Sequence, residues 1–242
     1  MSGGPLKILH TNDLHGKLDE STLPFLQERR EEADLYFDSG DGIKAGNLAV
    51  PLRPEPYWDC LRRARCTAST LGNRESHVLK AAFAAKTAGM ATPVVVANMA
   101  TKDGQLVFPP SQIVDCKGMR VGVVGTMVAM VTSRMATAPA SQYLWTDPVE
   151  AALAEGRKLR GEVDLLLLLS HVGHRIDVKL AEQGVFDIIL GGHSHTVLPE
   201  PELHGTTWVV QGGSHARYVG IYEWNWESRR LSGGLLPWLT TG

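Results

Sequence analysis

Asp13 and His15 stand two residues apart, after the apolar run that begins at Leu6 and before Gly16. Side chains at i and i+2 of an extended segment project to the same side. A carboxylate and an imidazole can therefore reach one point at the end of a strand, and together they suit a divalent cation. His193 and His195 repeat this spacing after Gly191 and Gly192, which let the backbone turn tightly. Asp41 after Gly40, Asn73 after Gly72 and His171 after Ser170 complete the pattern. Taken singly, such an aspartate is a turn or cap residue and such a histidine a packed, hydrogen-bonded side chain. Four histidines, two aspartates and an asparagine, all just past apolar runs, form a ligand set for Zn, Mn, Fe or Co.

The elements that must carry these residues alternate between strand and helix patterns. A first strand at residues 6–9 leads to a helix at 21–33, with Leu23 and Leu26 on one face. A strand at 35–37 runs into the Asp38-Ser39-Gly40-Asp41-Gly42 turn. A proline-rich loop at 51–56 precedes a helix at 57–65. A short strand at 68–71 ends in Gly72-Asn73-Arg74-Glu75, and Ser76 is expected to cap an alanine-rich helix to about residue 88. A strand at 93–97 and a hairpin at 113–124 around Lys117-Gly118 follow. The helix at 148–160 has a proline in its first turn.

Residues 163–169 form a nearly continuous apolar run, the mark of a strand buried on both faces, and it ends in Ser170-His171. After a helix at 176–183 and a strand at 186–190, strands are expected at 208–211, 218–226 and 235–239. Pro237 restricts the last of these to an edge. No internal repeat or linker interrupts the chain, so residues 1–242 read as a single α/β domain with two sheets. In open α/β sheets, sites are built beyond the carboxyl ends of the strands, where these residues fall.

Composition narrows the partners. A length of 242 residues suffices for a substantial core. Twenty-four basic against 26 acidic residues, with no long basic run, give no footprint for a nucleic-acid polymer. Three cysteines, Cys60, Cys66 and Cys116, lack motif spacing and indicate a reducing compartment rather than a disulfide framework. No signal-like region precedes the first strand. The longest apolar run contains Asp164 and is too short to span a bilayer. A cytoplasmic protein without membrane partners is the expectation; the oligomeric state is left open.

Asp13-x-His15, Gly40-Asp41, Gly72-Asn73, Ser170-His171 and Gly192-His193-x-His195 together resemble the five-block signature of the calcineurin-like metallophosphoesterases. Residues 9–16, Leu-His-Thr-Asn-Asp-Leu-His-Gly, are similar to the 5'-nucleotidase branch in particular. The resemblance covers nearly the whole chain. It implies a two-sheet β-sandwich flanked by helices, a four-layer architecture. It also implies a dinuclear site with two divalent metal ions (Mn, Zn, Fe, Co or Mg). Asp13, His15 and His195 would hold the first ion, Asn73, His171 and His193 the second, and Asp41 would bridge them. The implied reaction is hydrolysis of phosphoric esters by metal-bound hydroxide. A phosphomonoesterase or nucleotidase-like phosphatase acting on a small phosphorylated substrate, such as a nucleotide, is the reading this favours. A phosphodiesterase, with cyclic nucleotides included, and a non-catalytic metal-dependent binder of phosphoryl ligands are the alternatives.

Two positions depart from the branch. Arg74 stands where its Gly-Asn-His-Glu block has histidine, and His77 where an aspartate orients that histidine. Arginine can neutralise phosphoryl charge through paired hydrogen bonds but cannot supply a proton. Arg74 is therefore a candidate for charge stabilisation. His77, expected one helical turn further on, and His174, three residues after His171, are candidate proton donors. A surface helix position for His77 and a supporting role for His174 are the alternatives. Members of the branch usually add a C-terminal domain that clamps the base, so base recognition here is expected from this domain's own loops or from another subunit, with Tyr57, Trp58, Tyr143 and Trp145 as loop candidates and local packing the alternative. Residues 211–215, Gln-Gly-Gly-Ser-His, are similar to a segment near the site of relatives and are expected to support the loops there, with His215 at most supporting the ligands.

Overall fold

The leucine run from Leu165 becomes a strand buried along its whole length, and its alternation shows what surrounds it. Leu165, Leu167 and Leu169 face one apolar layer with Leu6, Ile8, Phe37 and Trp224. Leu166 and Leu168 face another, with Ala152, Leu153, Leu180 and Ala181. Each leucine so buried contributes about 1.5–3 kcal/mol. The computed structural model describes residues 4–238.

Two main sheets face each other across the first of those layers. One comprises β1 (Leu6–Thr11), β2 (Leu35–Asp38), β3 (Ala68–Ser69), β12 (Tyr218–Asn225) and β13 (Arg230–Pro237), in spatial order β13-β12-β1-β2-β3. The other comprises β5 (Ser111–Cys116), β6 (Met119–Met127), β8 (Leu165–His171), β9 (Ile188–Gly191), β10 (Glu202–His204) and β11 (Thr207–Val210), in order β10-β11-β9-β8-β6-β5. A small ribbon pairs β4 (Met99–Thr101) with β7 (Tyr143–Trp145). The outer face of the first sheet is covered by α1 (Leu23–Glu31), α2 (Pro56–Arg63) and α3 (Lys80–Lys86). The outer face of the second is covered by α4 (Pro148–Leu159) and α5 (His174–Ala181). The layers run helix, sheet, sheet, helix, as expected for the four-layer sandwich. Asp147 caps α4 by accepting the backbone N–H of Val149 and Glu150, ahead of Pro148.

The strand pairings aim the site. β1, β2 and β3 run parallel, as do β6, β8, β9 and β11. Past the ends of β1 and β2 the two loops continue to pair: Asp13 N–H donates to Gly40 O, His15 N–H to Asp41 O and Gly16 N–H to Gly42 O, at 2.7–2.9 Å. This sets Asp13 beside Asp41. Ser39 Oγ donates to Leu190 O at 2.7 Å and ties that edge to the second sheet.

Several expectations need correction. Residues 93–97 form no strand of their own. Val95 N–H donates to Ser69 O and Ala97 N–H to Gly125 O, so the segment crosses from one sheet to the other. Gly125 is obligatory there, since a Cβ would lie 1.9 Å from Val95 O. Ser76 caps no helix: its Oγ donates to Gly72 O, residues 73–75 form a turn, residues 76–79 are irregular, and α3 starts at Lys80. His77 is therefore not one helical turn from Arg74. Tyr57, Trp58, Tyr143 and Trp145 are core residues, at most 7% exposed, and cannot stack on a base. Tyr57 Oη donates to Asp38 and Trp58 Nε1 to Lys86 O. The three-residue strands β7 and β10 carry too little pattern to be foreseen. Pro237 does lie on an edge strand, β13. Leu239, and Met1, Ser2 and Gly3, lie outside the described residues. Cys60, Cys66 and Cys116 are free. Among the described residues no helix is long and apolar enough to cross a membrane.

Asp177 of α5 is fully buried, accepts a hydrogen bond from Ser170 Oγ with one oxygen and leaves the other unpartnered. Burial pushes its pKa up from 3.8 to about 7, against the opposing influence of Ser170. A raised carboxyl pKa favours the fold while protonated, so this contribution is complete below pH 3.8 and is lost as pH rises through about 7. Asp177→Asn keeps the acceptor and never ionises. Thermal melts of metal-free protein should therefore show the variant gaining on the wild type between about pH 4 and about pH 7, with a constant gap above. A gap independent of pH would show that Asp177 is not held protonated.

Candidate metal centre

All seven candidate ligands gather at the shared edge of the two sheets. Asp13 and Asp41 are buried, and His171 closes β8 with its ring fully buried. His195 Nε2 lies 3.3 Å and His15 Nε2 3.9 Å from Asp13 Oδ1, and the two Nε2 atoms are 2.9 Å apart. His171 Nε2 lies 3.5 Å from Asp41 Oδ1. His193 Nδ1 and Asn73 Oδ1 are 2.9 Å apart. Two neighbouring ligand atoms at ~2.1 Å from one cation, at right angles, lie roughly 3 Å apart, the scale of these separations. Asp13, His15 and His195 form one compact ligand group; Asp13, Asp41 and His171 form another.

The donor chemistry fits a metal. His171 Nδ1 faces the carbonyl oxygen of Ser39 at 2.7 Å, so Nδ1 carries the hydrogen. Nε2 points into the cluster without a hydrogen-bond partner, and a cation that displaced its proton would meet a bare lone pair there. Asp13 Oδ1 is likewise buried and unpartnered. Such orphaned acceptors are costly unless a cation answers them. Gly72 leaves room for this convergence: a Cβ there would stand 2.2 Å from Asp41 Oδ1 and 2.7 Å from His171 Nε2.

Charge agrees. Burial opposes ionisation of Asp41, but His171, the Arg74 backbone N–H and His15 outweigh it and hold its carboxyl down to about 2. Burial likewise opposes protonation of His171, yet Asp41 and Asp13 push it up to about 10. His195 is raised by its contact with Asp13. Burial and then Arg74 lower His15 to about 4. Two buried carboxylates thus draw positive charge to themselves, and a divalent cation would displace those protons.

A supporting frame holds the ligands. Asp13, His15, Asp41, His193 and His195 all have left-handed backbones, with φ between 50° and 72°. That conformation costs a non-glycine residue about 1–2 kcal/mol and concentrates where surroundings enforce it. Glu75 does much of the enforcing. Fully buried, it accepts the backbone N–H of Asp41 and Gly72 on Oε2 and of Gly42 and Ile43 on Oε1, at 2.8–3.1 Å. Asn12 donates to Asp13 Oδ2 and to Gly213 O. Gln211 binds the 192–196 loop through Gly192 O, Ser194 Oγ and Thr196 N–H. The contacts of Gln211 agree with the loop support expected of residues 211–215. Sequence reading gave Glu75 no such role, because a side chain that holds backbone amides leaves no pattern of its own.

Arg74 also reaches the centre. Its backbone N–H donates to Asp41 Oδ1 at 2.7 Å and its Nε lies 4.0 Å from Asp41 Oδ2. Buried Lys86 fixes this turn by donating to Gly46 O and Arg74 O. His77 and His174 are occupied elsewhere: His77 Nδ1 accepts Leu79 N–H, and His174 Nε2 meets Glu202 Oε2 at 2.9 Å. His215 stands closer than expected, its ring centroid 4.7 Å from that of His15.

Residues 6–197 match the family model described as calcineurin-like phosphoesterase. A 5'-nucleotidase-related protein of Glossina morsitans morsitans is 28% identical, over 89% of this chain and 48% of its own length. An apyrase of Anopheles gambiae is 29% identical, over 80% of this chain and 39% of its own. This chain therefore spans less than half of either relative. The crystal structure of a 5'-nucleotidase precursor from Thermus thermophilus superposes with a TM-score of 0.77, at 23% identity, over 96% of this chain and 54% of that one. At that identity the likeness concerns the fold.

Glu75→Gln tests the frame. An amide offers one accepting oxygen where the carboxylate offers two, so two of the four backbone N–H groups lose their acceptor. Metal affinity, measured by titrating metal-stripped protein, should fall about 10–100-fold while circular dichroism stays native. Unchanged affinity would mean that Glu75 does not hold the centre in shape.

Proposed function

The chain belongs to the calcineurin-like phosphoesterase family, and from that premise we propose that it is a metal-dependent hydrolase of small phosphoric monoesters, nucleotides among them. The observation that carries this reading is the convergence of Asp13, His15, Asp41, His171 and His195 around buried, unpartnered Asp13 Oδ1 and His171 Nε2, with the paired His193 and Asn73 beside them. The names of the relatives, a 5'-nucleotidase-related protein and an apyrase, support the nucleotide class.

In this proposal Asp13, His15 and His195 would hold one cation, Asn73, His171 and His193 would hold a second, and Asp41 would serve both. Divalent cations there would neutralise phosphoryl oxygens and lower the pKa of a water so that a nucleophile is available near neutral pH. The protein's part is positioning. Ser39 O and Asp41 fix the ring of His171 from its two nitrogens. Asn73 Nδ2 donates to Asn47 Oδ1, which turns the amide oxygen of Asn73 toward His193. Arg74 is part-exposed at the rim, so its guanidinium can grip the phosphoryl oxygens of an arriving ester while its own backbone orients Asp41. It stabilises negative charge as that charge grows in the transition state, and it moves no proton.

Purified protein should be stripped, reloaded with Mn, Co, Mg or Zn, and assayed on aryl and alkyl monoesters, nucleotides and diesters. The proposal expects metal-dependent monoester hydrolysis that Asp41→Asn and His171→Asn reduce to background. Arg74→Ala should lower kcat/KM about 10²-fold on aryl and alkyl esters alike. Cleavage of diesters alone would move the activity to a phosphodiesterase. Fully loaded protein inert on every ester would leave a binder of phosphoryl ligands, and an unchanged Arg74→Ala would remove Arg74 from the reaction.

A further inference from the structure

A second convergence of imidazole and carboxylate groups lies outside the centre. His174 is the first residue of α5, and Glu202 and His204 flank Leu203 on edge strand β10. Alternation places Glu202 and His204 on one face of that strand. His174 Nε2 lies 2.9 Å and His204 Nε2 3.1 Å from the same oxygen, Glu202 Oε2. The three ligand atoms are all within 4.8 Å of one another. The imidazole planes are inclined at 68° with centroids 6.5 Å apart, so the rings converge edge-on rather than stack.

Zinc bonds of ~2.0–2.1 Å in a tetrahedron put neighbouring ligand atoms roughly 3.3 Å apart. The two separations from Glu202 Oε2 require only a few tenths of an ångström of adjustment. Two histidines and a glutamate form a borderline donor set, and part exposure of all three leaves an entry path and a face for further ligands.

We propose that His174, Glu202 and His204 form a separate cation site that takes one borderline divalent ion, zinc above all, with a remaining position open to water or a small anion. The site is distinct from the seven-residue centre yet joined to its frame. His174 N–H donates to Ser194 Oγ at 3.0 Å, and Ser194 lies between His193 and His195. Ser194 Oγ in turn donates to Gln211. An ion here would pin the start of α5 to β10 and steady the loop that carries two ligands of the main centre.

The test counts metal. The whole chain, metal-stripped and then equilibrated with zinc and desalted, is analysed for zinc per chain in wild type, Glu202→Gln and His204→Asn. Each variant should retain one equivalent less than the wild type. Zinc should also raise Tm less in the variants, while the metal-free melts coincide. Asp41→Asn, which damages only the main centre, should still lose one equivalent when Glu202→Gln is added. Equal zinc content in wild type and both variants would overturn the site. Loss of all zinc from either variant would also overturn it, by making these residues supports of the main centre.

Discussion

Two aspartates kept ionised inside the protein dominate this structure. Asp13 and Asp41 sit where burial would protonate them, and the histidines facing them hold both below the ordinary carboxylate range. Such a cluster is expensive unless positive charge answers it. The folded chain meets that demand in part by drawing protons to His171 and His195. A divalent ion meets it more fully, because it binds the same lone pairs and carries more charge.

Everything around the cluster serves its geometry. Parallel strands from two sheets end on one edge, and the loops beyond β1 and β2 remain paired past the strands. Left-handed backbones turn five of the ligands inward, at a conformational cost offset by the amide contacts of Glu75 and by Gln211's hold on the 192–196 loop. Gly72 contributes by what it lacks, since any side chain would occupy the space between Asp41 and His171. Rigidity of this kind is what a site built for charge stabilisation requires.

Much of the fold could be read from residue types. The leucines of β8 announced a strand covered on both faces, and Pro148 announced the start of α4. The candidate ligands were legible because each follows an apolar run and most follow a glycine or serine. Other features depend on partners distant in sequence. Glu75 is one more charged residue until four amides are seen to point at it. Ser76 has a cap-forming side chain, but its hydroxyl is taken by Gly72 O. Residues 93–97 look like a strand and instead divide their hydrogen bonds between two sheets. Tyr57 and Trp58 stand beside prolines like loop residues, yet α2 carries them into the core. His174 and Glu202 meet only because α5 and β10 lie side by side in space.

The proposed centre requires Asp41 to be a carboxylate shared between two cations. Crystals grown with manganese, and recorded at a wavelength where manganese scatters anomalously, would locate the ions directly. The account predicts two peaks in the main centre, each within bonding distance of Asp41, with His171 on one side and Asp13 on the other. A single peak there, or a pair of ions that leaves Asp41 unbound, would contradict it.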